Sequence, residues 1–93
     1  MSSTGWRVEV MPSALRDLNR LTEGAAAAVL EAIAHIAEAP HRAGKPLRLE
    51  LQGLWSARRG TYRVIYRIND EHRLLQIVTI DHRSDVYRRI RRG

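Results

Sequence analysis

Residues 53–68, GLWSARRGTYRVIYRI, decide the fold of this 93-residue chain. Apolar and polar residues alternate on both sides of Arg59-Gly60-Thr61, which is the pattern of a β-hairpin with a tight turn. In the second strand, residues 62, 64, 66 and 68 point to one side of the sheet, and residues 63, 65 and 67 point to the other. The hairpin is therefore expected to bury an aromatic and aliphatic face and to raise arginine side chains on the opposite face.

A third strand follows this hairpin, and a first strand precedes it. The polar, turn-rich residues 69–72 separate the strand over Tyr62–Asn69 from a strand over Leu74–Asp81. Near the N-terminus, Trp6–Val10 alternates apolar and charged residues, which predicts a half-buried strand. Pro40 and the basic segment 41–46 predict an irregular loop before the hairpin.

Two helices are expected between the first strand and that loop. The first begins at Pro12, which the first helical turn tolerates, and Thr22 is a plausible N-cap for the second, over Ala25–Ala39. The apolar positions of the first are Ala14, Leu15, Leu18 and Leu21. Those of the second are Ala26, Val29, Leu30, Ile33, Ile36 and Ala37. His35 is expected on a flank of the second helix, in a structural role.

The order β-α-α-β-β-β predicts an α+β fold, with two N-terminal helices packed on one face of a small, largely antiparallel four-stranded sheet. One domain over residues 1–93 accounts for the length. The opposite sheet face is expected to stay open. If the C-terminal segment folds back over it, Arg58, Arg63, His82, Arg83 and Tyr87 converge there.

The positive charge lies in two blocks. The formal net charge is +6, and residues 40–59 carry five bases and one acid, while residues 83–93 carry five arginines and one aspartate. Such clustering favours a nucleic acid or an acidic protein as partner over a membrane. Lys45 is the single lysine among sixteen bases. A GC-rich genome and phosphate recognition explain the high ratio of arginine to lysine equally well. A GC-rich genome does not, however, explain why the basic residues are clustered.

Other features of the composition narrow the class of protein. The chain has no cysteine, which suits a reducing compartment, and neither a signal-like apolar core nor a run of membrane-spanning length. A cytoplasmic protein is therefore expected. The sequence offers no nucleotide-binding loop, no metal-ligand cluster and no covalent nucleophile, so no cofactor and no metal are expected.

Three motifs in order resemble the RelE/ParE family of bacterial toxins over nearly the whole chain. They are Gly44-Lys45-Pro46-Leu47, then Leu51-x-Gly-x-Trp55-Ser56-x-Arg58-x-Gly60-x-Tyr62-Arg63-Val64-Ile65-Tyr66, and finally His82-Arg83-x-x-x-Tyr87-Arg88. Each is a weak pattern alone, but the order, spacing and length together make a specific match.

The resemblance implies the toxin of a type II toxin–antitoxin system with a RelE-like fold. The RelE branch, which the His82-Arg83-x-x-x-Tyr87 ending favours, consists of ribosome-dependent endoribonucleases (mRNA interferases) that inhibit translation. The ParE branch poisons DNA gyrase. In either case the implied partner is an acidic antitoxin, and the complex of the two proteins commonly binds operator DNA. A third hypothesis is a basic nucleic-acid-binding module without catalysis.

Metal-free RNA cleavage needs cations for the phosphate and groups that transfer protons. Arg63 is the expected phosphate clamp, Arg58 the second cation, His82 the proton carrier, and Tyr87 a stacking or proton-transferring group. Lys45, Arg59 and Arg83 are expected to hold backbone phosphates. The alternatives are ordinary ones, namely solvated strand arginines, a histidine in a hydrogen-bond network, and a tyrosine that anchors the tail in the core.

The chain departs from the family pattern in the first hairpin strand. Strongly active members commonly place lysines there, whereas this sequence has Ser56 and Arg58. Because arginine stays protonated at ordinary pH, Arg58 is a poor base. Proton transfer is therefore assigned to His82 and Tyr87, without deciding which is the base and which the acid.

Overall fold

A computed structural model describes residues 6–81 as a five-stranded sheet with helices on one face. The elements, in chain order, are β1 (Arg7–Val10), α1 (Pro12–Asn19), α2 (Glu23–Glu38), α3 (Pro40–Ala43), β2 (Lys45–Pro46), a 3-10 turn (Leu49–Leu51), β3 (Trp55–Arg59), β4 (Tyr62–Asn69) and β5 (Leu74–Asp81). The strand order is β1-β5-β4-β3-β2, and only β1 and β5 pair in parallel. The predicted α+β class, with a largely antiparallel sheet, is confirmed.

The number of strands was predicted wrongly, because the sheet has five strands and not four. The added strand is β2, in which Lys45 pairs with Ser56 and Pro46 pairs with Trp55. A two-residue strand shows no alternation, and its proline is tolerated because the strand lies at the sheet edge. Likewise, part of the predicted irregular loop is the one-turn helix α3, which begins at Pro40.

The helices begin where their caps predict. Pro12 is the first residue of α1, and the Thr22 hydroxyl accepts a 3.2 Å hydrogen bond from the Ala25 backbone N–H at the start of α2. Two residues of the apolar stripes, which were expected to fill the interface with the sheet, lie largely in solvent, since Leu15 and Leu30 are 51% and 50% exposed. Each helix buries only a narrow stripe against the sheet, so a residue at the margin of the stripe stays in solvent. No helix within residues 6–81 is long and apolar enough to cross a membrane.

A β-bulge in β5 changes which residues of that strand face the core. Ile65 pairs with Thr79, whereas Tyr66 pairs with Ile77, so Val78 is an additional residue in β5. The bulge turns Ile77 and Ile80, three residues apart, toward the same helix-covered core. That core also contains Val64 and Tyr66 of the hairpin, as the alternation in β4 predicts.

The opposite sheet face is partly covered, which corrects the expectation of an open face. Ile65 is fully buried there and packs in a small cluster with Leu54, Leu47, Leu51 and Val78. The chain between β2 and β3, with its 3-10 turn, lies over the middle of this face. The part of this face that residues 6–81 leave uncovered is the end of the hairpin near Arg58 and Arg63, which are exposed and half-buried respectively.

Candidate nucleic-acid interface

A row of charged residues crosses three strands at the end of the sheet that residues 6–81 leave uncovered. Arg58 lies directly opposite Arg63, and Arg63 lies opposite Asp81 in the next strand. Opposed residues on adjacent strands share a face, with Cβ atoms about 4.5–5.5 Å apart, and like charges at this distance are destabilising. Two cationic side chains and one carboxylate therefore start from neighbouring positions on one face of the sheet.

A surface groove begins at this row and extends to α3 and β2. Its cationic lining residues are Arg42, Lys45, Arg58 and Arg63. Its apolar lining consists of Ala43, Pro46, Leu47 and Ala57. None of the described lining residues carries a carboxylate. We call this feature the basic groove, and its chemistry suits a chain of phosphates with apolar groups between them.

The wall of the basic groove formed by residues 40–46 is fixed from inside the protein. The fully buried Tyr66 hydroxyl donates a 2.8 Å hydrogen bond to the carbonyl oxygen of Pro40, and Pro40 is buried too. Burial raises the pKa of Tyr66 to about 12, so this phenol is a neutral donor at ordinary pH. Gly44 packs so closely that an added Cβ would lie 2.5 Å from both the Ser56 carbonyl oxygen and the Tyr66 hydroxyl.

An aromatic cluster holds α3 at its other side. The His41 ring makes edge contacts with Trp6 and Trp55, with ring centroids 5.7 and 5.6 Å apart. Its Nε2 lies 3.0 Å from Oδ1 of Asp70, and the Arg73 guanidinium lies 4.7 Å from the centroid of the Trp6 ring. These contacts connect the residue next to Arg42 with the residue before β1, with β3 and with the β4–β5 turn.

The expected site residues divide into three groups. Arg58, Arg63 and Lys45 line the basic groove together. Arg59 lies opposite Tyr62 on the helix side of the hairpin, and its guanidinium is 3.4 Å from Oε1 of Glu31, so the structure does not bring it into the groove. Predictions for His82, Arg83 and Tyr87 lie outside the described residues. His35 is exposed beside Glu38, 3.9 Å away, on the flank of α2.

Arg42 is a groove residue that sequence reasoning missed. It stands in a segment without hydrophobic periodicity, and only its place in a basic stretch could have pointed to it. Tyr66 was expected to face inward, but its hydrogen bond to a residue 26 positions away has no local signal. Within residues 6–81, no group of three or more His, Asp or Glu side chains could hold a metal ion.

Comparison with known families identifies the class of protein to which this chain belongs. Residues 8–87 match the family described as the ParE toxin of the type II toxin–antitoxin system parDE. The chain belongs to this family of toxins, and the predicted RelE/ParE membership is confirmed.

Individual relatives agree with this assignment. The chain is 51% identical to Toxin RelG of Mycobacterium tuberculosis over 85 residues, which cover 90% of this chain and 98% of that protein. It is 49% identical to Toxin RelE of the same organism over 84 residues, or 89% and 87% of the two chains. A crystal structure of the toxin–antitoxin complex RelBE2 from M. tuberculosis contains a similar chain, with a TM-score of 0.82, 47% identity and coverage of 90% and 98%.

Proposed function

We propose that this toxin is a ribosome-dependent mRNA endoribonuclease of the RelE type. The observation that carries the proposal is the direct opposition of Arg58 and Arg63 at the end of a groove whose described lining has no carboxylate. The names of the relatives, RelG and RelE, support the RelE branch. We assign the scissile phosphate to these two cations, because the other cationic residues of the groove, Arg42 and Lys45, continue from them along the same lining.

The proposed reaction is attack of the substrate's 2′-hydroxyl on the adjacent phosphorus. The new O–P bond forms as the bond to the 5′-oxygen breaks, which leaves a 2′,3′-cyclic phosphate and a 5′-hydroxyl. Arg63 and Arg58 stabilise the extra negative charge on the phosphoryl oxygens. His82 and Tyr87 remove the proton from the 2′-hydroxyl and supply one to the leaving oxygen, because guanidinium groups stay protonated at neutral pH and are poor bases.

The proposed partners follow from the same chemistry and from the relatives. The RelBE2 structure is a complex of toxin and antitoxin, so we propose a cognate acidic antitoxin for this chain as well. A helix or an extended segment of such a partner would cover apolar and cationic surfaces together. The ribosome and mRNA are the proposed targets, and operator DNA is a proposed ligand of the toxin–antitoxin complex.

The test is to map mRNA 5′ ends on translating ribosomes incubated with the purified toxin. We expect new ends within the A-site codon, and we expect Arg63→Ala to slow cleavage by about 100-fold or more, as for other preorganised charge-stabilising groups. Arg20→Ala is the matched control, because Arg20 is an exposed arginine next to the C-terminus of α1. Absence of new A-site ends with the wild-type protein would contradict the proposal.

A ParE-type inhibitor of DNA gyrase is the second candidate, because the description of the matching family names ParE. It predicts DNA damage on induction, with intact mRNA on the ribosome. A non-catalytic basic module, in contrast, would bind RNA, cleave nothing and tolerate His82→Ala. The same end-mapping experiment, run beside a gyrase supercoiling assay, separates the three activities.

A further inference from the structure

We propose that Arg42 is a phosphate-binding residue and that residues 40–46 form the second wall of the RNA-binding site. This inference rests on the proposed function and extends it from one scissile phosphate to two successive phosphates. The first is held by Arg58 and Arg63, and the second by Arg42 and Lys45.

The strand register separates the two pairs of cations. Lys45 lies opposite Ser56 in β3, and Arg58 is two residues farther along the same strand, opposite Arg63. Two residues of a strand span roughly 7 Å. Lys45 and Arg58 are therefore on one sheet face but at successive positions along the groove, while Arg42 joins Lys45 from the end of α3.

The surroundings of Arg42 are compatible with an anionic ligand. Within residues 6–81, no carboxylate lies within ion-pair distance of its guanidinium. On α2, Glu31 is 3.4 Å from the guanidinium of Arg59, and Glu38 is 3.9 Å from Nδ1 of His35. Arginine is suited to phosphate because its planar fork donates two parallel hydrogen bonds.

The backbone that carries Arg42 is held in place before any ligand binds. On one side of it, Pro40 accepts the Tyr66 hydrogen bond, and on the other, Gly44 packs against Ser56. The neighbouring His41 ring lies between Trp6 and Trp55. A wall fixed in this way loses little conformational freedom on binding, so more of the interaction energy appears as affinity.

The experiment measures the affinity of a fluorescent, fully 2′-O-methylated oligoribonucleotide as a function of salt. This probe has no free 2′-hydroxyl, so it reports binding without cleavage. Each phosphate contact with a single strand contributes a slope of about 0.7 log units of affinity per log unit of salt. We expect Arg42→Ala to reduce the magnitude of the slope by about 0.7, Arg42→Lys to keep the slope, and Arg20→Ala to match the wild type.

The outcomes distinguish this inference from the function on which it rests. An unchanged slope for Arg42→Ala beside a reduced slope for Arg63→Ala would overturn the second phosphate position and leave the proposed function standing. Wild-type protein without salt-dependent binding would also overturn the inference, and ribosomal end mapping would then test the function by itself. Urea unfolding of each variant verifies the fold. Because Arg42 is exposed, we expect the Arg42 variants to unfold at the same urea concentration as the wild type.

Discussion

Tyr66 is a buried polar residue that connects the core to the basic groove. Its ring belongs to the core beneath the helices and stacks on Trp55, and its hydroxyl holds the carbonyl oxygen of Pro40. A buried carbonyl that loses its donor costs about 1–3 kcal/mol, because water cannot replace the donor. One phenol thus contributes to the stability of the fold and to the position of the groove wall.

Tyr66→Phe is expected to lower the free energy of unfolding by about 1–3 kcal/mol at pH 7. The difference should shrink in alkali, since the folded-state pKa of Tyr66 is raised from 10.0 to about 12. Its stabilisation is fully present below pH 10 and is lost as the pH rises through about 12, with a slope of at most about 1.4 kcal/mol per pH unit. Urea unfolding of both proteins between pH 7 and pH 11 measures this, and parallel pH profiles would contradict it.

At the scale of elements, α3 and β2 have little local structure of their own and are positioned by neighbours. The one-turn helix and the two-residue strand are held by Tyr66, by the aromatic cluster around His41 and by pairing with β3. Gly44 is required by close approach and not by its backbone conformation, because its φ of −136° is open to any residue. The position of α3 and β2 therefore depends on the absence of a side chain at Gly44.

Gly44→Ala is expected to destabilise the protein by about 1–3 kcal/mol, because the new Cβ would overlap the Ser56 carbonyl and the Tyr66 hydroxyl. It should also weaken binding of the oligoribonucleotide, since the wall must move outward. Gly24→Ala is the matched control: nothing lies within 4 Å of its added Cβ, and alanine favours the helix by up to about 1 kcal/mol. Equal unfolding free energies for the two variants would show that Gly44 is not confined.

The elements that could be predicted from the sequence are those with a repeating pattern or a cap. The hairpin and β5 show alternation. The helices α1 and α2 show helical periodicity, with Pro12 at the start of α1 and Thr22 as the N-cap of α2. All of these elements lie within a few residues of the expected positions. The bulge at Val78 and the strand β2 were missed because each is a response to packing with residues distant in sequence. Arg58 and Arg63 could be predicted together because they lie in one hairpin. Arg42 could not, because its place in the groove depends on packing with residues distant in sequence.

At the scale of the whole molecule, part of the positive charge of the described residues is concentrated around one groove. Bases cluster in residues 40–59, and the fold places Arg42, Lys45 and Arg58 of that block, together with Arg63, around one groove. Arg58 and Arg63 lie directly opposite each other, and Asp81 lies opposite Arg63 in the next strand. Like charges directly opposite each other on neighbouring strands are destabilising. The free protein is therefore expected to be less stable than its packing alone would allow, and an anionic ligand should restore the difference.

Arg58→Gln is expected to raise the free energy of unfolding by about 0.2–1 kcal/mol in dilute salt, because it removes one of two opposed like charges. The gain should disappear near 1 M salt, where the screening length falls to about 3 Å. Arg67→Gln is the matched control, since Arg67 is exposed in β4 and lies opposite the neutral Gln76. The same Arg58 variant should cleave mRNA more slowly on the ribosome, so stability and activity change in opposite directions. A stability gain that persists at 1 M salt, or a loss in dilute salt, would mean that the two guanidinium groups do not repel each other.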